Sequence, residues 1–213
     1  ANKYLTSFSG SGTIEGKESE EKVKGSSEGV VKEKEESRPT VSTLKDSISI
    51  LKDGCALEHV SQRGLTIETL RKYGVKTSTD KEGNPLATFF PYGPHNNKIR
   101  DLTKVKSFLW QVREEELPQD KKRLPLFGMD KFPAGSSKTI TITEGEYDAL
   151  SSYQMQGSKY PVVSVSSSTA AEVEAKQAHA YLNSFDMIYL NFDNDNPGIE
   201  AAKKVARLFN PNK

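Results

Sequence analysis

A single cysteine, Cys55, stands among 213 residues, which excludes an internal disulfide and any multi-cysteine zinc site within the chain. That usage fits a reducing compartment, and Cys55 reads as a small buried side chain rather than a nucleophile. Long apolar runs are missing: nothing approaches the roughly 20 residues that cross a bilayer, and the first residues lack the charged-then-apolar order of a secretory signal. The expectation is a soluble intracellular protein with no membrane partner. Charge of one sign is missing too, since 30 basic and 29 acidic side chains leave a net +1. No global field then draws the chain onto nucleic acid, and any polyanion has to be met by a local patch. There is no Gly-x-x-x-x-Gly-Lys-Ser/Thr phosphate loop, hence no ATP-driven motor in these residues, and no internal repeat.

Apolar residues are few, at 34% against 28% charged, so a core requires that they be gathered in one part of the chain. They gather after about residue 48. From Ser7 to about Ser42 the chain is Ser, Gly, Glu and Lys, as in Glu15-Gly16-Lys17-Glu18-Ser19-Glu20-Glu21-Lys22. Such a stretch cannot bury enough apolar surface to offset its ordering entropy, and it reads as a disordered tail over 1–45. The start at Ala1 and the stop just after a helical pattern give the expectation of a piece of a longer protein.

Residues 46–137 read as a small α+β lobe. Leu44, Ile48 and Leu51 share one helical face at its start. Arg63-Gly64-Leu65 then leads into a helix bearing Ile67, Leu70 and Tyr73, with Thr66 as N-cap and Gly74 as stop. Ala87 to Tyr92 and Lys98 to Trp110 read as two strands joined by Gly93-Pro94-His95-Asn96-Asn97. Along the second, Lys98, Arg100, Lys104 and Lys106 alternate, so they are expected on one face with Phe108 and Trp110. A basic row with aromatic neighbours can neutralise phosphates and stack a base, whereas the bland alternative is a solvated or lysine-guarded edge. Arg113 to Arg123 reads as an exposed loop, and His59, His95 and His179 are widely separated, so none is assigned to metal; His95, in the loop beside the basic row, is the one to watch.

Residues 138–213 alternate strand and helix as βαβαβα: strands at 139–143, 161–165 and 187–192, and helices at 146–156, 169–181 and 198–209. This predicts a parallel sheet flanked by helices. Ligands of such sheets bind beyond the carboxyl ends of the strands. The first strand runs into Glu144-Gly145-Glu146, and the third into Asp193-Asn194-Asp195-Asn196-Pro197-Gly198. Gly145 would permit a tight strand-to-helix turn and Gly198 a clash-free helix entry. Glu144, Asp193 and Asp195 converging at one edge would repel one another, and oxygen ligands of this kind suit Mg²⁺, with Mn²⁺ as a substitute. Against this, each acid could simply cap a helix, and Asp148 could sit in a first turn where the helix dipole favours it.

Thr143-Glu144-Gly145-Glu146-Tyr147-Asp148 and Asp193-x-Asp195-x-x-Gly198 resemble the two signature motifs of the TOPRIM fold. Arg63-Gly64-Leu65-Thr66-Ile67-Glu68-Thr69-Leu70, Phe90-Pro91-Tyr92, Lys98-Ile99-Arg100-Asp101, Leu126-Phe127-Gly128 and Lys159-Tyr160-Pro161-Val162-Val163-Ser164 are similar to the primase half of bacteriophage-type primase-helicases and their mitochondrial relative Twinkle. The resemblance runs from about residue 55 to the end. It implies a primase that makes primers on single-stranded DNA from nucleoside triphosphates. Glu144 falls on the family's acid/base or metal-linked glutamate, Asp193 and Asp195 on its metal-binding aspartates, and Lys98, Arg100, Lys104 and Lys106 on a lobe that contacts nucleotide and template. It further implies a C-terminal helicase domain in the same gene product, oligomerisation through that domain, and placement in the mitochondrial matrix or, for a phage protein, the host cytoplasm. Two departures stand out. Relatives carry a further acid after a fourth strand, a point these residues do not reach, and Ser166-Ser167-Ser168-Thr169 replaces the usual glycine after the second strand. The competing expectation is a catalytically silent module that binds single-stranded DNA beside a helicase.

Overall fold

In the computed structural model, residues 56–111 and 124–213 are described, and all of them fall within one compact unit of the chain. The Ser7–Ser42 tail, the Leu44/Ile48/Leu51 helix, Cys55 and the Arg113–Arg123 loop lie outside the described residues.

The first half builds a five-stranded antiparallel meander in the order β1-β2-β3-β4-β5, from β1 (Ala56–Glu58), β2 (Lys76–Thr79), β3 (Pro85–Pro91), β4 (Asn97–Asp101) and β5 (Ser107–Gln111). Helix α1 (Ile67–Tyr73) precedes β2. Thr66 caps it by accepting from the Thr69 N–H, and Gly74 closes it with φ 74°, as the sequence predicts. The span from Lys98 to Trp110 is a hairpin and not one strand. Asp101 pairs with Ser107, so Lys104 and Lys106 sit in the five-residue turn between β4 and β5. Strand alternation therefore stops before either lysine, and the expected four-residue basic row on one face does not form. Phe108 and Trp110 nonetheless join the Lys98/Arg100 face, because they pair across the hairpin with Arg100 and Lys98.

The second half is the expected parallel sheet, in the order β7-β6-β8, with β6 (Thr139–Thr143) central, β7 (Val162–Ser164) and β8 (Met187–Asn191) beside it. Helix α2 (Glu146–Met155) follows β6, and α5 (Asn196–Ala206) follows β8. The single helix expected over 169–181 is broken into α3 (Ala171–Gln177) and α4 (His179–Leu182). The outer edge of β7 is closed by Phe127, which exchanges backbone bonds with Ser164 at 3.0 and 3.1 Å. Gly128 follows with φ 78°, and a Cβ there would lie 2.6 Å from the Tyr73 ring, which accounts for the Leu126-Phe127-Gly128 motif.

Two cores flank the parallel sheet. On one face Leu70, Tyr73, Phe90, Tyr92, Phe127, Ala149, Leu150, Tyr153 and Val162 pack together, joining the meander to α2 and β7. On the other, Ile140, Ile142, Val163 and Val165 pack against Ala171, Ala175, Leu182, Ala201 and Val205 of the helices. The face of β3 and β4 that bears Phe90, Lys98 and Arg100 is thus the one turned toward α2, while Ala87, Phe89 and Ile99 form a small cluster on the reverse. Among the described residues no helix is long and apolar enough to cross a membrane.

Candidate acidic site

Parallel pairing of β6 with β8 sets Thr143 level with Asn191, so both chains leave the sheet at the same edge. Glu144 emerges at once, and Asp193 two residues beyond its strand. Their meeting is direct: the Asp193 N–H donates to Glu144 Oε2 at 3.3 Å. Gly198 sits below them because nothing larger fits. A Cβ there would come 2.3 Å from the Asp193 carbonyl oxygen and 2.9 Å from Glu144 Oε2, so glycine gives the helix entry without a side-chain clash. Gly145, in contrast, is not required by its backbone angle. Its backbone is extended, with φ −129°, open to any residue, but a Cβ would lie 2.7 Å from Asp148 Oδ2.

The carboxylates differ in duty. Asp195 is the N-cap of α5, accepting from the Gly198 N–H at 2.8 Å. Asp193 is exposed. Burial lifts the Glu144 carboxyl above its usual range; the Asp193 N–H and the Ser168 hydroxyl oppose the rise, and repulsion from Asp193 and Asp195 adds to it. Asp148 lies in the first turn of α2, as the bland reading has it, yet it also belongs electrostatically to this cluster. Partial desolvation raises its carboxyl first, then repulsion from Asp193 and Glu146, with Arg63 pulling the other way. Glu144, Asp148, Asp193 and Asp195 are therefore linked by mutual repulsion at one edge of the sheet.

Among the described residues, no three His, Cys, Asp or Glu side chains are gathered closely enough to hold a metal ion by themselves. The donor chemistry still fits a hard ion. Mg²⁺ keeps several waters and takes one or two carboxylates plus substrate phosphates, so a closed cage of protein ligands is not its habit. His59 and His179 are occupied elsewhere: His59 Nδ1 lies 2.7 Å from the Val75 carbonyl, and His179 Nε2 3.1 Å from that of Leu208.

The basic residues separate in the same way. Arg100 lies with its guanidinium 5.4 Å from the Phe108 ring and 5.7 Å from that of Tyr147. Arg63 stacks on the same tyrosine at 4.5 Å. It reaches there because Arg63 and Gly64 both take positive φ, 53° and 76°, and Gln154 of α2 clamps the turn, accepting from the Thr66 N–H and donating to the Gly64 carbonyl. Tyr147 itself is fixed by a 2.9 Å bond between its hydroxyl and Thr88 Oγ1 and by edge-on packing with Phe90. Two guanidinium groups thus flank one ring beside Asp148. Arg63 was given no role from the sequence, although it heads the Arg63-Gly64-Leu65-Thr66 stretch that is similar to the primases. Lys104 and Lys106 stay exposed in the hairpin turn, Lys104 3.5 Å from Asp101. Lys98 is buried, 2.9 Å from Glu146 Oε1.

Comparison with known proteins adds to this geometry. Residues 141–213 match the Toprim-like family. A DNA helicase/primase of Enterobacteria phage T3 is 31% identical over 155 residues, which cover 70% of this chain and 25% of that protein. The chain thus spans about a quarter of the length of this curated relative. The crystal structure of the primase fragment of the bacteriophage T7 primase-helicase superposes with a TM-score of 0.62 at 26% identity, covering 77% of this chain and 66% of that one. The primase domains of two gp4 subunits, seen with the T7 lagging-strand DNA polymerase and bound to an RNA/DNA hybrid and dTTP, match with a TM-score of 0.55 at 25% identity over 76% and 79% of the chains.

Proposed function

We propose that this chain, a TOPRIM-type relative of the bacteriophage primase-helicases in their primase portion, is a primase core that joins ribonucleotides on a single-stranded DNA template. The observation that carries this is the Glu144–Asp193 contact over Gly198, at the carboxyl edge of a parallel sheet. A divalent cation, Mg²⁺ or Mn²⁺, bound by Asp193 with Glu144 and Asp195, would supply positive charge for the triphosphate and sharpen the 3′-hydroxyl as a nucleophile.

The chain's own residues do the rest. Glu144, lifted above the ordinary carboxyl range, is a better proton acceptor when ionised and can take the hydroxyl proton at the oxygen not bound by the Asp193 N–H. Arg100 and Arg63, spread on the Tyr147 face, offer planar donor forks to phosphate oxygens. Phe108, 42% exposed on the same sheet face, offers a ring on which a base can stack. Lys104 and Lys106 remain candidates for template phosphates in the hairpin turn. A helicase motor in the same gene product and the host-cytoplasm placement draw support from the phage relatives, and oligomerisation through that motor remains part of the proposal; the Twinkle-like, mitochondrial placement draws no support from them.

Primer synthesis on a single-stranded oligonucleotide with labelled ribonucleoside triphosphates tests the reading. Mg²⁺-dependent products are expected from the wild type and at least a hundredfold fewer from Asp193→Asn. If Asp193→Asn still binds the oligonucleotide and the wild type makes no product with either metal, the chain is the silent DNA-binding module instead.

A further inference from the structure

A chain of buried polar groups crosses the interface between the meander and α2. Lys98 Nζ lies 2.9 Å from Glu146 Oε1 and donates to the Ser166 carbonyl at 2.7 Å. Glu146 also accepts a bond from the Tyr92 hydroxyl. Ser166 in turn donates its N–H, at 2.7 Å, and its hydroxyl to the Glu174 carboxylate. Tyr92, Lys98, Glu146 and Glu174 are all more than nine-tenths buried. The rings of Phe108 and Trp110 stand 4.9 and 5.8 Å from the ammonium.

The sequence distances explain why this matters. Glu146 is two residues from Glu144, and it opens α2 where Asp148 sits. Ser166 is two residues from Ser168, whose hydroxyl favours the ionised form of Glu144. One ammonium therefore ties together the loop that carries Glu144 and the loop that flanks it, and fixes both to β4, where Arg100 stands. Offering this ammonium to a phosphate would strand the Glu146 charge in the interior, which is far costlier than leaving the pair intact.

We propose that Lys98 is a positioning residue, an internal latch between the meander and the acidic edge, and not a contact for nucleic acid or nucleotide. Only what the latch positions depends on the acidic-site reading. The latch itself is tested without it.

Acetylation with an N-hydroxysuccinimide ester, read by peptide mass spectrometry, should modify Lys104 and Lys106 at the rate of open lysines and Lys98 at least tenfold more slowly. Glu146→Gln should speed Lys98 modification. Lys98→Met and Glu146→Gln should each lower the melting temperature, while the double variant Lys98→Met with Glu146→Leu should recover most of the loss. Mn²⁺ affinity should weaken at least threefold in Lys98→Met and stay weak in the double variant, which restores stability but not the tie. Lys98 reacting as fast as Lys104, or a double variant no more stable than Lys98→Met, would overturn the latch. A Lys98→Met protein that is less stable yet binds Mn²⁺ like the wild type would overturn the positioning role. If Lys98→Met does not fold, the wild-type acetylation pattern and the double variant decide. A wild type that binds no Mn²⁺ strikes at the acidic-site reading, and acetylation with the stability cycle then decides the latch.

Discussion

At the scale of single residues, the acids divide into one that holds the fold and others that strain it. Asp195 spends an oxygen on the α5 N-terminus, so Asp195→Ala should lower unfolding stability by about 1 kcal/mol in urea titrations. Asp195→Asn, which keeps the cap, should cost only a small part of that. Glu144 and Asp148 pull in the opposite direction. Unfolded, their carboxyls titrate near 4.5 and 3.8, and folded, both hold protons to higher pH. Between the unfolded and folded values the native state binds more protons, so stability is full below the unfolded values and is lost as pH rises through the folded ones. In metal-free buffer, Glu144→Gln and Asp148→Asn should therefore melt progressively higher than the wild type as pH climbs above those ordinary values, with no advantage below them. An advantage that does not change with pH would contradict the clustering of these acids.

Elements, more than residues, decide what was legible in advance. The βαβαβα alternation placed Glu144 and Asp193 on adjoining strands because β-branched runs such as Thr139-Ile140-Thr141-Ile142-Thr143 leave little ambiguity. The Thr66 cap and Gly74 stop were equally plain. The basic row was not. Lys98 to Trp110 keeps a strand-like alternation of residue types across a turn marked by neither Gly nor Pro, with Lys106 taking φ 49° to close it. Nor could alternation say which face of β4 turns toward α2, and it proved to be the face with the charges. Local periodicity holds no record of the ion pair that makes such burial tolerable, since Lys98 and Glu146 are 48 residues apart. The Arg63–Tyr147–Arg100 stack is likewise a product of tertiary packing. Tyr147→Leu should cost about 2–3 kcal/mol in urea unfolding, from a lost aromatic pair, two cation–π contacts and a hydroxyl bond. Tyr147→Phe should lose only the hydroxyl share, about 1 kcal/mol.

For the molecule as a whole, the central fact is that one sheet edge collects acids while the facing lobe brings arginines to the first turn of α2. Asp148 lies between the two groups, repelled by Asp193 and attracted by Arg63. A triphosphate with its divalent ion complements such a charge pattern, with the cation at the carboxylates and the phosphates at the guanidinium groups. Neither half suffices: acids alone would bind a stray ion, and arginines alone would bind any anion. The measurement that bears on this most directly is Mn²⁺ binding by electron paramagnetic resonance in the wild type, Glu144→Gln and Asp193→Asn. Saturable binding by the wild type, weakened at least tenfold in each variant while both stay folded, is the predicted result. No binding by the wild type, or binding indifferent to Asp193→Asn, would contradict it.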